Sequence, residues 1–388
     1  MIFNKTLVCV LIAACVATMA AAKDAGRSFS DQDLLALAGN KYASGELPLG
    51  DGHYVLDAPR KGYIYLCRKF GDEGAGGAGR DGSWIHDQTW NLHEKLSVQG
   101  QVVWNNAVFS NTVSANERMI AGNGLPINHA TGIFPIQPND PAYAVDRNPN
   151  SIRQQTVQET LPVNPVYIDP PFCMGMEVGY MLTGVPIFNG FDAGLRDAAA
   201  HEVQDSCQGH PQNRGSYHYH SLSSCIHDAS EKTVIGYALD GFPITGPTVA
   251  AGKYLTTDNL DECHGITSEI IEDGQKKMTY HYVMTEDFPY SVSCFRAKPV
   301  RTGPPAQEGR QQQGNQQSQM QGDGQRNGSM DGQMGRPPQP PAEALSACSG
   351  KADGAECGFV SPRGDMIAGA CHTPPQQSAL ACVPSRGH

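Results

Sequence analysis

Across residues 54–296 short apolar runs alternate with polar positions and are cut every few residues by glycine, proline or asparagine. Period-two alternation bounded by turn residues is the pattern of short β-strands. Tyr217-His218-Tyr219-His220 alternates strictly, and Tyr280-His281-Tyr282-Val283 follows the same pattern. Residues 98–104 alternate weakly and read as a further strand. Residues 125–135, and the proline- and asparagine-rich run that ends at Pro149, read as ordered loops or edge structure. Residues 71–82 are glycine-dense and read as a mobile loop. Long stripes at helical spacing are scarce. One helix is expected over residues 191–204, with Asp192 as its N-cap. The fold class is therefore mainly β and loop-rich, with one or two short helices.

Part of this pattern occurs twice. Gly179 to Ile187, Asp205-Ser206-Cys207-Gln208-Gly209 and Tyr217-His218-Tyr219-His220 form one set. Gly236 to Ile244, Asp261-Glu262-Cys263-His264-Gly265 and Tyr280-His281-Tyr282-Val283 form the other. The offsets are 57, 56 and 63 residues, so only the last step carries an insertion. Repeat units are expected over residues 173–235 and 236–296, as an internally duplicated, pseudo-symmetric core.

The ends differ in kind. Residues 1–22 read as a signal peptide: Lys5 is the positive start, a short apolar run follows, and Ala20-Ala21-Ala22 offers a cleavage site. Ile12-Ala13-Ala14-Cys15 also fits a lipoprotein cleavage pattern, which leaves anchoring at Cys15 as the alternative. No other segment is long and apolar enough to span a bilayer. The expected location is secreted or periplasmic. Residues 23–53 read as a polar N-terminal arm. Residues 297–345 are rich in Gln, Gly and Pro and read as a disordered linker, because so few apolar side chains cannot offset the entropy of ordering. Residues 346–388 form a small cysteine-rich module, through which a protein partner could bind. The formal net charge of −11 disfavours nucleic acid and anionic membranes as partners.

Twelve cysteines, less Cys9 and Cys15 of the leader, leave ten, an even number that argues for disulfides in an exported chain. Cys348, Cys357, Cys371 and Cys382 belong to the tail module. In each repeat unit an Asp-x-Cys precedes the Tyr-His-Tyr block and a further cysteine follows it. That predicts Cys207–Cys225 and Cys263–Cys294, leaving Cys67 for Cys173. The competing reading is thiolate zinc ligation, drawn from Cys207, His210, His218 and His220.

On a strand, His218 and His220 share one face and Tyr217 and Tyr219 the other. Two imidazoles about 6.6 Å apart along a strand can converge on one ion. If the units pack about a pseudo-two-fold axis, His281 joins them, giving a site of His218, His220 and His281 for copper or zinc. His210 and His264, just after the repeated cysteines, are outer candidates. Two other readings stand beside this one. The first is a metal-dependent enzyme using the same histidines, with Glu202 or Asp205 as general base. The second is a structural or adhesive module in which the Tyr-His-Tyr strands only pack. Asp205 and Asp261 open matched turns, where a carboxylate commonly accepts backbone N–H bonds. No nucleophile-elbow serine, phosphate loop or dinucleotide fingerprint is present.

The residues His201 to Pro211, Tyr217 to His220, Gly236 to Ile244, Leu260 to Gly265, Pro289-Tyr290 and Cys294 together resemble the YHYH-domain family of exported bacterial proteins. The resemblance extends over roughly residues 55–296 and departs from the family pattern at Val283. It implies export and carries no particular reaction with it.

Overall fold

The computed structural model describes residues 27–70, 78–302, 342–360, 366–373 and 380–384. The leader, residues 71–77 of the glycine-dense segment and residues 303–341 of the linker lie outside the described residues. The chain divides into two compact units, Met1–Ala306 and Gln307–His388. The structure is mostly β.

A nine-stranded sheet forms the body of the first unit. Its strands are β1 (Ser28–Phe29), β2 (Glu177–Met181), β3 (Pro186–Phe188), β4 (Gly209–Pro211), β5 (Tyr217–Tyr219), β6 (Val234–Ala238), β7 (Pro243–Thr245), β8 (Gly265–Glu272) and β9 (Gln275–Val283). They are ordered β1-β8-β9-β7-β6-β2-β3-β5-β4. The central pair is β2 and β6, antiparallel, with Tyr180 opposite Tyr237. Outward from this pair the pairing is the same on both sides. An antiparallel hairpin comes first, β2–β3 or β6–β7. A parallel neighbour follows, β5 or β9. An antiparallel partner comes next, β4 or β8. The two inner hairpins turn at Gly184 and Gly241, with φ of +89° and +91°. Only glycine adopts that left-handed backbone without strain.

The alternation of the aromatic strands has a direct packing consequence. Tyr217, Tyr219 and Tyr282 are fully buried in one large core with Tyr180, Tyr237 and Phe295. The histidines of the same strands face the other way. Residues 27–53 are built into this unit. β1 pairs with β8, and helix α1 (Asp31–Leu37), capped by a reciprocal Ser30–Asp33 box, buries Leu34. Leu34 packs with Leu255, Leu260, Ile266 and Val283 in a second, smaller core.

Two expected elements differ from those present. Residues 98–104 form isolated bridges, Val98 to Asp205 and Val102 to Thr131, and no strand. The helix expected over residues 191–204 shrinks to α2 (Ala198–His201), capped by Asp197. Asp192 instead closes a loop: its Oδ1 accepts from the Gly194 and Arg196 N–H groups, and its Oδ2 pairs with the Arg196 guanidinium. Leu195 then takes a positive φ of 62°, which ends any helix begun at Asp192.

Among the described residues, three disulfides staple this unit: Cys67–Cys173, Cys207–Cys225 and Cys263–Cys294. The second unit contains α3 (Ala342–Ser346) and a meander of Glu356–Val360, Met366–His372 and Ala381–Pro384. It is bridged by Cys348–Cys371 and Cys357–Cys382. No helix among the described residues is long and apolar enough to cross a membrane.

Candidate metal centre

β4 and β5 form a hairpin at one end of the sheet, linked by residues 212–216. Their register places Gly209 opposite Tyr219 and His210 opposite His218. Cross-strand partners stand about 4.5–5.5 Å apart at Cβ, so His210 reaches the face that His218 and His220 share. The three rings converge. The Nε2 atoms of His218 and His220 are 3.0 Å apart, and ligand atoms of His210, His218 and His220 all lie within 4.8 Å of one another. Each of these residues is at most 3 % exposed. Phe188 of β3 stacks on the His218 ring, with centroids 4.1 Å apart.

A carboxylate completes the cluster. Glu202 Oε2 lies 3.3 Å from His210 Nε2 and 3.5 Å from His220 Nε2. Glu202 is the C-cap of α2, and its N–H donates to the Ala198 carbonyl. α2 is fixed from several directions. The Asp197 carboxylate accepts from Tyr290 Oη and the Gly50 N–H. His201 bonds Asp51 and Asp81 through its two ring nitrogens. The Lys95 ammonium donates to the Ala199 carbonyl and Gln204 Oε1, and desolvation lowers its pKa to about 7.

The outer nitrogens define the protonation of two of the rings. His218 Nδ1 donates to the Ser216 carbonyl at 3.1 Å, and His220 Nδ1 donates to the Asn189 carbonyl at 2.6 Å. A neutral imidazole that donates through Nδ1 carries its lone pair on Nε2. Two lone pairs therefore face each other across 3.0 Å. Burial, then the neighbouring imidazoles, hold His210 well below the usual histidine range. The same two causes depress His218. Burial lowers His220 to about 4. Burial also raises Glu202 well above the carboxylate range, reinforced by Asp192 and Asp146. The close approach of Glu202 to His210 is thus not an ordinary ion pair. Glu202 Oε2 and both ring nitrogens of His210 are buried without a hydrogen-bond partner. Orphaned polar atoms of this kind cost free energy unless something else satisfies them.

The expected trio is corrected at its third member. His281 lies on β9, five strand steps from β5 and about 24 Å away along the sheet. Its Nδ1 meets Thr245 Oγ1 at 2.9 Å and its Nε2 meets Ser268 Oγ at 2.8 Å, so both nitrogens are satisfied by hydroxyl groups. The pairing register explains the difference between the two halves. Ile266 stands opposite His281 where His210 stands opposite His218. Val283 stands where His220 stands. The second half fills the equivalent space with Ile266, Val283 and Leu34, an apolar core beneath α1. His264 is also elsewhere, its Nε2 3.0 Å from Thr285 Oγ1. Asp205 is committed as well. It accepts from the N–H groups of Gly132, Cys207 and Gly209 and from Tyr217 Oη, on the tyrosine side of the strand. Of the two expected bases, only Glu202 reaches the histidines.

Residues 158–253 match the family model described as YHYH protein. The chain thus carries a YHYH domain over this segment, which contains Glu202, His210, His218 and His220 and stops short of His281. Searches of curated proteins and of solved structures found no match.

Proposed function

We propose that His210, His218, His220 and Glu202 hold a divalent transition metal, zinc first and copper second, and that the protein is a metal-retaining protein of an oxidising compartment. The single observation that carries this reading is the convergence of unsatisfied donors. Lone pairs on Nε2 of His218 and His220 face each other beside partnerless atoms of His210 and Glu202. A cation placed among them takes one donor atom from each of the four residues. Carbonyl groups behind His218 and His220 are the outer partners that metal-bound imidazoles usually have.

The spacing supports zinc. A tetrahedron with bonds of about 2.0–2.1 Å has edges of about 3.3 Å, and the separations of 3.0, 3.3 and 3.5 Å bracket that value. Four protein donors with rings at most 3 % exposed favour a retained ion. A catalytic zinc needs an open position. Five disulfides favour an oxidising location, in keeping with the signal-like residues 1–22.

Elemental analysis of untagged protein is the test. Wild type and His281→Ala should carry about one equivalent of metal, and His210→Ala and His218→Ala should carry almost none. Glu202→Gln should weaken zinc binding by about tenfold or more, because it replaces an anionic oxygen donor with a neutral amide. Metal-free wild type, or equal metal in all variants, rules the reading out.

A further inference from the structure

The Cys207–Cys225 bridge spans a sequence separation of 18 residues, and the ring it closes contains His210, His218 and His220. No other disulfide among the described residues of the first unit encloses the cluster. Cys263–Cys294, at the matching place in the other half, encloses β8 and β9, where Ile266 and Val283 replace two of the three imidazoles.

The ring also lies at one edge of the sheet. β4 is the last strand of the order, and β5 meets β3 through the pair Ile187 and Tyr219. The open end of the hairpin is closed by the bridge and by two hydrogen bonds beside it. Ser224 Oγ donates to the Ser206 carbonyl at 2.8 Å, and the Ser224 N–H donates to Gln208 Oε1 at 2.6 Å. With the three rings buried, an ion can enter or leave only when the structure around them opens locally, and this hairpin carries all three of them. A covalent tie across its open end opposes that opening.

We propose that Cys207–Cys225 is a redox lock on the metal centre, holding the ion while oxidised and releasing it when a dithiol reduces the bridge. This rests on the metal reading above. A thiolate of the dithiol attacks Cys225 Sγ, whose residue is partly exposed; Cys67 is exposed too, whereas Cys263 and Cys294 are buried. The S–S bond breaks, and Cys207 leaves as a thiolate that takes up a proton. The second thiol of the donor then displaces Cys225 and leaves as a cyclic disulfide. Two electrons and two protons pass to the protein, and the dithiol is oxidised. The freed hairpin opens, and the imidazoles exchange the ion for water and protons.

The test follows zinc transfer from the loaded full-length protein to a chromogenic chelator. Cys207→Ser/Cys225→Ser should release zinc about tenfold faster than wild type or more. Cys67→Ser/Cys173→Ser should release it at close to the wild-type rate. Linkage supplies a second readout that needs no variant: zinc must shift the Cys207–Cys225 equilibrium in a dithiol buffer toward the disulfide, by the factor that the disulfide adds to zinc affinity. Alkylation and mass mapping read that shift bridge by bridge, with Cys67–Cys173 as the internal reference. Equal release rates in folded variants, no shift on zinc loading, or zinc retained after Cys207–Cys225 is reduced would each overturn the lock. An oxidised wild type that binds no zinc removes the metal reading itself, a result distinct from zinc bound and released at one rate throughout.

Discussion

His218 and His281 occupy the same register of two similar strands, yet their surroundings give them different chemistry. His218 faces two other imidazoles, and its Nε2 has another nitrogen at 3.0 Å. His281 has a hydroxyl at each ring nitrogen and aliphatic neighbours in place of the other two histidines. Its pKa is lowered to about 4 by burial, so it stays neutral in the fold. An unfolded histidine titrates near 6.5. Between these values the unfolded chain binds the extra proton, and the contribution of His281 to stability, complete above about pH 6.5, is lost as pH falls toward 4. The destabilisation caused by His281→Asn should therefore be greatest at pH 7 and shrink by about 1.4 kcal/mol per pH unit below 6.5. Denaturant titrations of both proteins from pH 7 to 4.5 measure this. A constant difference would mean that His281 is not held neutral by its surroundings.

At the scale of elements, the β4–β5 hairpin gathers the three histidines, and its closure depends on a glycine. A Cβ built on Gly209 would lie 2.1 Å from Tyr217 Cζ, and one on Gly265 would lie 2.1 Å from Tyr280 Oη. In both halves the tyrosine folds over the glycine to reach the turn carboxylate, Asp205 or Asp261. Gly209→Ala and Gly265→Ala should each cost about 1–3 kcal/mol through overpacking, but only Gly209→Ala should also lower zinc affinity. Parallel unfolding and zinc titrations separate the two effects, and equal zinc affinity in both variants would disconnect hairpin geometry from the site. These elements also show what the sequence makes legible. Strict alternation in residues 217–220 is enough to put His218 and His220 on one face. The segment Gln212-Asn213-Arg214-Gly215 carries turn residues, and reading it as a hairpin would have set His210 opposite His218. Position in a repeat says that two residues are equivalent and does not say that they meet. His281 is equivalent to His218 but stands on the other side of the central pair. The pattern over residues 191–204 predicts a helix longer than α2 because Asp192, a good N-cap by type, spends its carboxylate on a loop.

For the whole molecule, the position of Glu202 depends on segments remote in sequence. Asp51, Asp81, Asp146 and Tyr290 hold α2 and the residues after it through His201, Val203 and Asp197. No local pattern encodes such an arrangement, so Glu202 is visible from sequence only as one of several nearby carboxylates. All four proposed ligands and all these supports lie within Met1–Ala306. An ion that binds the folded unit and not the unfolded chain stabilises it by about 2.7 kcal/mol at a free concentration one hundred times the dissociation constant. Zinc should therefore raise the unfolding temperature of the first unit and leave that of the second unchanged, because the cysteines described there are paired within it. A chain ending at residue 302 should show the same zinc shift as the full chain in calorimetry. Loss of the shift on truncation, or a zinc shift in an isolated chain of residues 342–388, would place the ion outside the β4–β5 hairpin.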